Sequence, residues 1–371
     1  YFNSNFNLST APELSSPNNT TDNYLKWFRP FYDYNSLIGR DQYSFTYIYD
    51  NGDVGLNPPP SDKNHGHQQM FTQFLDINNN QIPDLVISAH DVTTDDIGEI
   101  YVIIDNELKF RFDSQQAVTR KILSGDLDGN GSEDIVLIGT GIDGPPFTGT
   151  KIKIIYFTPN NYEIATLSEQ QSYYHTGAIG DVNNDNNLDI MVVNNQNTAS
   201  DGETFIYQGN GDKTFTKIYQ GNNWPSDNYP NGFTNRYNME FHDFNNDNNL
   251  DIIIGGHEWE FKLPELGVPF RTTIYYGNGD GTFDYFNPTI LPEIDYWGIV
   301  NDFKMLDIDK DGVSEIIINR TTGHEDYNIL DNDRGYDGIK IQILKKDNNE
   351  YVNHQIIDGP SGWFDLPPTW I

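Results

Sequence analysis

Apolar residues in this chain fall in short β-branched runs, not in spaced stripes. Leu85-Val86-Ile87, Ile135-Val136-Leu137, Ile190-Met191-Val192, Ile252-Ile253-Ile254 and Ile316-Ile317-Ile318 each follow a cluster of Asp and Asn. No stretch of useful length keeps a 3.6-residue period, so no helix is expected. Short apolar runs bounded by turn-forming residues predict strands. Another apolar segment leads into each polar cluster, as in Thr119 to Gly125 and Val300 to Leu306. The predicted unit is a strand, an acidic loop, a second strand, then a third and a fourth.

The third-to-fourth turn has its own signature. It reads Tyr207-Gln208-Gly209-Asn210-Gly211-Asp212-Lys213-Thr214-Phe215 in one unit and Tyr276-Gly277-Asn278-Gly279-Asp280-Gly281-Thr282-Phe283 in another. Tyr49-Asp50-Asn51-Gly52-Asp53 is a weaker copy. Asn-Gly and Asp-Gly supply the positive φ angles of tight hairpins. Residues 1 to 23, rich in Asn, Ser, Thr and Pro, read as an arm, with one domain over 24–371.

The acidic loops carry the chemistry. In Asp307-Ile308-Asp309-Lys310-Asp311-Gly312-Val313-Ser314-Glu315, oxygen-bearing side chains stand at positions 1, 3, 5 and 9. Gly312 at position 6 permits a sharp turn. A hard cation such as Ca²⁺ takes six to eight oxygens at about 2.3–2.6 Å. The start resembles an EF-hand loop, but position 12 is Ile318, where an EF-hand needs a bidentate Glu, and strands replace the flanking helices.

Four more copies precede it: Asp76, Asn78, Asn80 and Asp84; Asp126, Asp128, Asn130 and Asp134; Asp181, Asn183, Asp185 and Asp189; Asp243, Asn245, Asp247 and Asp251. The position-7 residues Ile82, Ser132, Asn187, Asn249 and Val313 are included in the predicted ligand sets. About five structural calcium ions are expected. By carboxylate count the fifth loop should bind most tightly. The first, with two carboxylates and Gln81 in the glycine position, should bind least.

The chain has 371 residues, 22 basic and 55 acidic, for a net charge of −33. Fifteen of the acids stand at the ligand positions named in the five loops. Such a field repels nucleic acid and anionic membranes. There is no apolar run long enough for a membrane helix, and no cysteine for a disulfide. Loops of this type fill dependably where calcium is plentiful. The expectation is therefore a mature exported protein, secreted or held at the cell surface.

The acidic nonapeptide together with the Tyr/Phe-flanked Gly-Asn-Gly-Asp-Gly hairpin resembles the FG-GAP/VCBS repeat family over about residues 24–357. The resemblance implies a β-propeller with one calcium ion per loop-bearing blade, as in integrin-like heads and some lectins. Four strands per roughly 60 residues is also a propeller period. The expected fold is all-β, a propeller of four-stranded blades, with calcium loops between first and second strands. Six blades are expected, the sixth being residues 24–65, where Asp33, Asn35 and Asp41 mimic the loop spacing. Seven, with one split between the ends, is the alternative. Residues 358–371, with Trp363 and Trp370, are expected to close the ring against N-terminal strands.

In such a topology the opposite strand ends are free for binding. His90, His257 and His324 follow second strands, each with an acid next in line. Tyr174, His175, Arg236, Tyr237 and Trp297 stand before first strands, and Trp224 and Trp259 lie in the longest loops. Aromatic faces and planar polar groups suit sugars. Carbohydrate binding, as a lectin or glycan receptor, is the first expectation. A polysaccharide lyase is the alternative, with His257, His324, Tyr237 and Arg236 as candidate catalytic groups. A protein-adhesion module is third.

Overall fold

The computed structural model describes residues 68–359 and 363–364, apart from 92–96, 106, 142–147, 169, 195–203, 222–235, 257, 259–270, 296, 324–335 and 349. These residues form five antiparallel sheets and no helix. Sheet one is β1 (Gln68–Leu75), β2 (Asp84–Asp91), β3 (Glu99–Ile104) and β4 (Glu107–Asp113). Sheet two is β5 (Thr119–Gly125), β6 (Asp134–Gly139), β7 (Lys153–Thr158) and β8 (Asn161–Thr166). Sheet three is β9 (Tyr174–Gly180), β10 (Asp189–Asn194), β11 (Thr204–Gly209) and β12 (Phe215–Gly221). Sheet four is β13 (Arg236–His242), β14 (Asp251–Gly256), β15 (Thr273–Gly277) and β16 (Phe283–Ile290). Sheet five is β17 (Ile299–Leu306), β18 (Glu315–Gly323), β19 (Tyr336–Asp347) and β20 (Glu350–Asp358), with β21 (Trp363–Phe364) added to β19. Each sheet is a meander in chain order.

The unbroken apolar runs follow from burial on both faces. In β6, Ile135 and Leu137 pack toward sheet one, while Val136 and Ile138 pack toward sheet three. In β10, Ile190 and Val192 face sheet two, and Met191 and Val193 face sheet four. The two-residue period of a strand divides each run between two cores. Each fully buried Ile, Val or Leu contributes roughly 1.5–3 kcal/mol.

Position 2 of the first four acidic loops joins one sheet to the next. Ile77, Leu127, Val182 and Phe244 are buried in the cores shared with sheets two, three, four and five respectively. Ile308, the same position in sheet five, is 47% exposed.

The first strands β1, β5, β9, β13 and β17 pack beside one another in sequence. Gln73 Nε2 donates to Ser124 Oγ at 2.9 Å between β1 and β5. Lys121 of β5 reaches past β9, donating to Met239 O at 2.6 Å and pairing with Glu240 Oε1 at 2.9 Å on β13.

The glycine hairpins dock on the acidic loops of their own sheets. A Cβ on Gly277 would stand 2.1 Å from the backbone oxygen of Leu250, and one on Gly209 would stand 2.4 Å from that of Leu188. Backbone cannot yield as a side chain does. Gly277→Ala is expected to cost about 1–3 kcal/mol in chemical denaturation.

Trp363–Phe364 pairs with Tyr336 and Asp337 of β19; the expected closure of residues 358–371 against N-terminal strands involves partners outside the described residues. β19 is twelve residues long, and β20 pairs with it only from Lys340 onward. The first residues of β19 thus have an open edge, and β21 takes it. Trp370, residues 24–65 and the hairpin at 49–53 lie outside the described residues.

Candidate functional site

Each acidic loop is shaped by its own carboxylates. The position-1 Asp accepts the backbone N–H of positions 5 and 6, at 3.0 and 2.7 Å for Asp76 and at 3.0 and 3.0 Å for Asp307. Asp126, Asp181 and Asp243 do the same. Position 5 accepts the N–H of position 7 in all five, from Ile82→Asn80 to Val313→Asp311. The position-9 acid accepts the N–H of position 2 in all five.

Positions 4 and 6 both take positive φ. Gly129 and Gly131 do so in loop two, Asn184 and Asn186 in loop three, Asn246 and Asn248 in loop four, and Lys310 and Gly312 in loop five. In loop one Asn79 has φ 54° and Gln81 φ 65°. Gln81 therefore adopts the turn that glycine makes easily, and loop one keeps the hydrogen-bond pattern of the others. Asn is the residue that most readily replaces Gly in this region.

The position-9 carboxylates also hold the third strands. Asp84, Asp134, Asp189 and Asp251 accept a second N–H, from Asp105, Phe157, Gly209 and Gly277 respectively. Burial raises the carboxyl pKa of each. Asp134 is pushed from the ordinary 3.8 to about 7, and Asp189 and Asp251 to about 6. Backbone N–H bonds oppose the shift, and the neighbouring loop acids add to it.

A carboxyl raised in this way binds its proton more tightly when folded. Its contribution is full below the unfolded value and is lost as pH rises through the folded one. In chelator, the unfolding temperature is expected to fall between pH 5 and 8. In excess calcium that fall should be smaller, because a cation favours the ionised form. Thermal scans at both pH values, with and without calcium, test this.

The donor sets fit a hard cation. One oxygen each from Asp126, Asp128 and Asp134 lie within 4.8 Å of one another, and so do those from Asp307, Asp309 and Glu315. All are oxygens, the donor type that Ca²⁺ selects. In loop five an ammonium stands among them: Lys345 Nζ bonds Asp309, lies 2.9 Å from Asp311 Oδ2, and is 3.8 Å from Glu315 Oε1. In loops three and four, Asn183 Nδ2 and Asn245 Nδ2 turn to Asp185 and Asp247 at 3.0 and 2.9 Å. In loop one, Asn78 Oδ1 is buried with no donor from the protein.

The loops also clasp one another along one rim. Glu133 of loop two donates its N–H to Asp76 O of loop one at 3.1 Å, and its carboxylate accepts Asp76 N–H. Leu188 of loop three lies over Gly125, and Leu250 of loop four lies over Gly180. Gly281 N–H donates to Val182 O at 2.9 Å.

At the opposite strand ends the described residues bring together part of the predicted set. His175 of β9 and Tyr237 of β13 stand 4.3 Å apart, ring edge to face, with Tyr173 at 6.3 Å from His175. Lys340 Nζ lies 4.5 Å above the ring of Trp297. His90 pairs with Gln69 near the free end of sheet one, and Arg236 pairs with Gly256 at that of sheet four. Tyr174 is corrected: it is 1% exposed and packs in the core of sheets two and three, because its side chain alternates inward from His175. Trp224, His257, Trp259 and His324 lie outside the described residues.

Sequence reasoning missed a buried ion pair at this end. Arg320 on β18 has no exposed surface and donates to Glu258 Oε2 at 2.7 Å, Gln342 Oε1 at 2.6 Å and Trp297 O at 3.1 Å. Glu258 also accepts Thr272 N–H at 2.9 Å and the Thr272 hydroxyl. Glu258 is the acid that follows His257 in the sequence. Here it is an internal strut between sheets four and five. A lone Arg after the apolar run Ile316–Ile318 was the available signal.

These features define a tandem all-β protein whose sheets are linked by acidic loops able to hold a metal. Residues 181–254 match the model of the FG-GAP-like repeat. The match runs from the start of loop three to β14 and so spans one full period and the next loop. Among solved structures, the V. cholerae biofilm matrix protein Bap1 is similar at 12% identity and a TM-score of 0.39, over 79% of this chain and 40% of that one. The matched part of this chain spans about two fifths of the length of that structure. No curated protein matches it.

Proposed function

We propose that the chain is an extracellular, calcium-stapled β-propeller that binds carbohydrate at the strand ends opposite its acidic loops. The FG-GAP-like match and the repeated all-oxygen loops support the calcium assignment. The pairing of Lys121 with Glu240 supports ring curvature, since the two strands belong to sheets two steps apart. The exposed Ile308 supports a sixth blade, with residues 24–65 supplying the sheet that covers it.

The binding reading is carried by the His175–Tyr237 pair, two rings from adjacent sheets held edge to face beside Tyr173. Aromatic faces with a polar edge are what a sugar ring stacks on. Weak sites of this kind gain strength from multivalency. A glycan array probed with the calcium-loaded chain is expected to give discrete positives that weaken at least about tenfold in Tyr237→Ala, the loss expected for one ring contact of about 1.4 kcal/mol. An array with no positives in calcium would remove the glycan reading and favour a protein partner.

A further inference from the structure

At positions 1, 3, 5 and 9, loops two, three and four each carry three carboxylates, whereas loop one carries two and loop five four. The structure places a charged side chain from outside the loop against each of the two exceptions; Lys213, 3.4 Å from Asp128 of loop two, is paired more closely with Glu163 at 2.8 Å, which balances its charge. Asp105 follows β3. Its N–H donates to Asp84 Oδ1 at 3.1 Å, and its carboxylate accepts Asn78 Nδ2 at 2.9 Å and Asn80 Nδ2 at 2.8 Å. At the same place in sheets two, three and four, where an N–H meets the position-9 acid, stand the uncharged Phe157, Gly209 and Gly277.

Lys345 is the counterpart in sheet five. The register Ile316↔Leu344 sets it across from Glu315, and its ammonium lies among Asp309, Asp311 and Glu315. In the other sheets that register position is Ile104, Tyr156, Gln208 or Tyr276, none of them cationic.

At loop one the buried Asn78 Oδ1, which no protein donor serves, points independently to a cation. A half-turn of the Asn78 amide would set an oxygen where its nitrogen now faces Asp105, while Asn80 Oδ1 stays on the Ile82 N–H. Two oxygens tolerate that contact when a cation lies between them.

We propose that Asp105 is a side-chain ligand of the first site and Lys345 a resident counter-charge in the fifth, so that all five sites present a net charge of minus three. This rests on the metal reading above. It levels the ranking drawn from the loops alone. The first site is not the weakest, because a third carboxylate comes from the next hairpin. The fifth is not the tightest, because an ion entering it must displace an ammonium or share the site with it. Ligand charge count is a main determinant of calcium affinity in oxygen sites. Both residues lie outside the nonapeptides, where a motif search does not look.

The test is calcium titration of the ion-stripped full chain by calorimetry, with bound ions counted by native mass spectrometry. Five ions of similar affinity are expected for the parent chain. Asp105→Asn should weaken one site about tenfold or more, and Asp105→Glu should restore it. Lys345→Met should tighten one site by about tenfold. Circular dichroism of the calcium-loaded variants should match the parent, since Asp105 is exposed and Lys345 is at the surface. A parent chain that binds no ion would overturn the metal reading itself. A parent chain that binds five, with Asp105→Asn and Lys345→Met both within about twofold of it at every site, would overturn this proposal and leave the metal reading standing.

Discussion

Stripping divalent ions from the chain is expected to lower its unfolding midpoint by on the order of 15 °C. An ion that binds only the folded state adds about 2.7 kcal/mol when it is present at a hundred times its dissociation constant. Five such sites add on the order of 10 kcal/mol. A chain of this length should lose roughly 1–2 °C per kcal/mol, continuing the size trend of smaller domains. The loops make the effect global, because they touch neighbouring sheets as well as their own. Glu133 bonds Asp76 across a sheet boundary, and Leu188 and Leu250 each sit over a glycine of the preceding sheet. Without ions, crowded acids at this rim push one another apart. Paired thermal scans in calcium and in chelator decide it. Superimposable curves would mean that protein hydrogen bonds alone hold the loops.

Replacing Arg320 by Met destabilises the protein by about 3–5 kcal/mol, the cost of leaving one half of a buried ion pair uncompensated. Glu258 is then left buried with Thr272 as its remaining described donor, against the three groups that Arg320 serves. The double replacement Glu258→Leu with Arg320→Met should recover much of that loss, since two apolar groups leave no unpaired charge. Urea melts of the two single variants and the double variant give the coupling directly. Additive losses would show that the pair does not act as a unit.

The two predictions draw on different information, and so do the fold and the site. Repeated strands, the positions of the five acidic loops and the two glycine hairpins were legible from residue type and spacing. They depend on local rules: β-branched runs bounded by turn formers, and Asn or Gly where φ must be positive. Even the division of Ile135, Val136, Leu137 and Ile138 between two cores follows from the alternation of a strand. The apolar side chain at position 2, present in all five loops, was also there to be read. Its meaning came only when Ile77, Leu127, Val182 and Phe244 were seen buried against the next sheet and Ile308 was not.

By itself, the sequence determined where the strands run, where oxygen ligands converge and how the net charge limits partners. The tertiary structure decided which distant groups complete those sites. Asp105 is 29 residues from Asp76, Lys345 is 38 from Asp307, and Arg320 is 62 from Glu258. It also moved Tyr174 from the predicted ligand face into the core and set Trp363–Phe364 on β19. Strand register and sheet packing bring such residues together, and neither leaves a local pattern in the chain. A nonapeptide fixes its own turn because its hydrogen bonds close within nine residues. The charge that tunes it comes from whichever strand the sheet lays alongside.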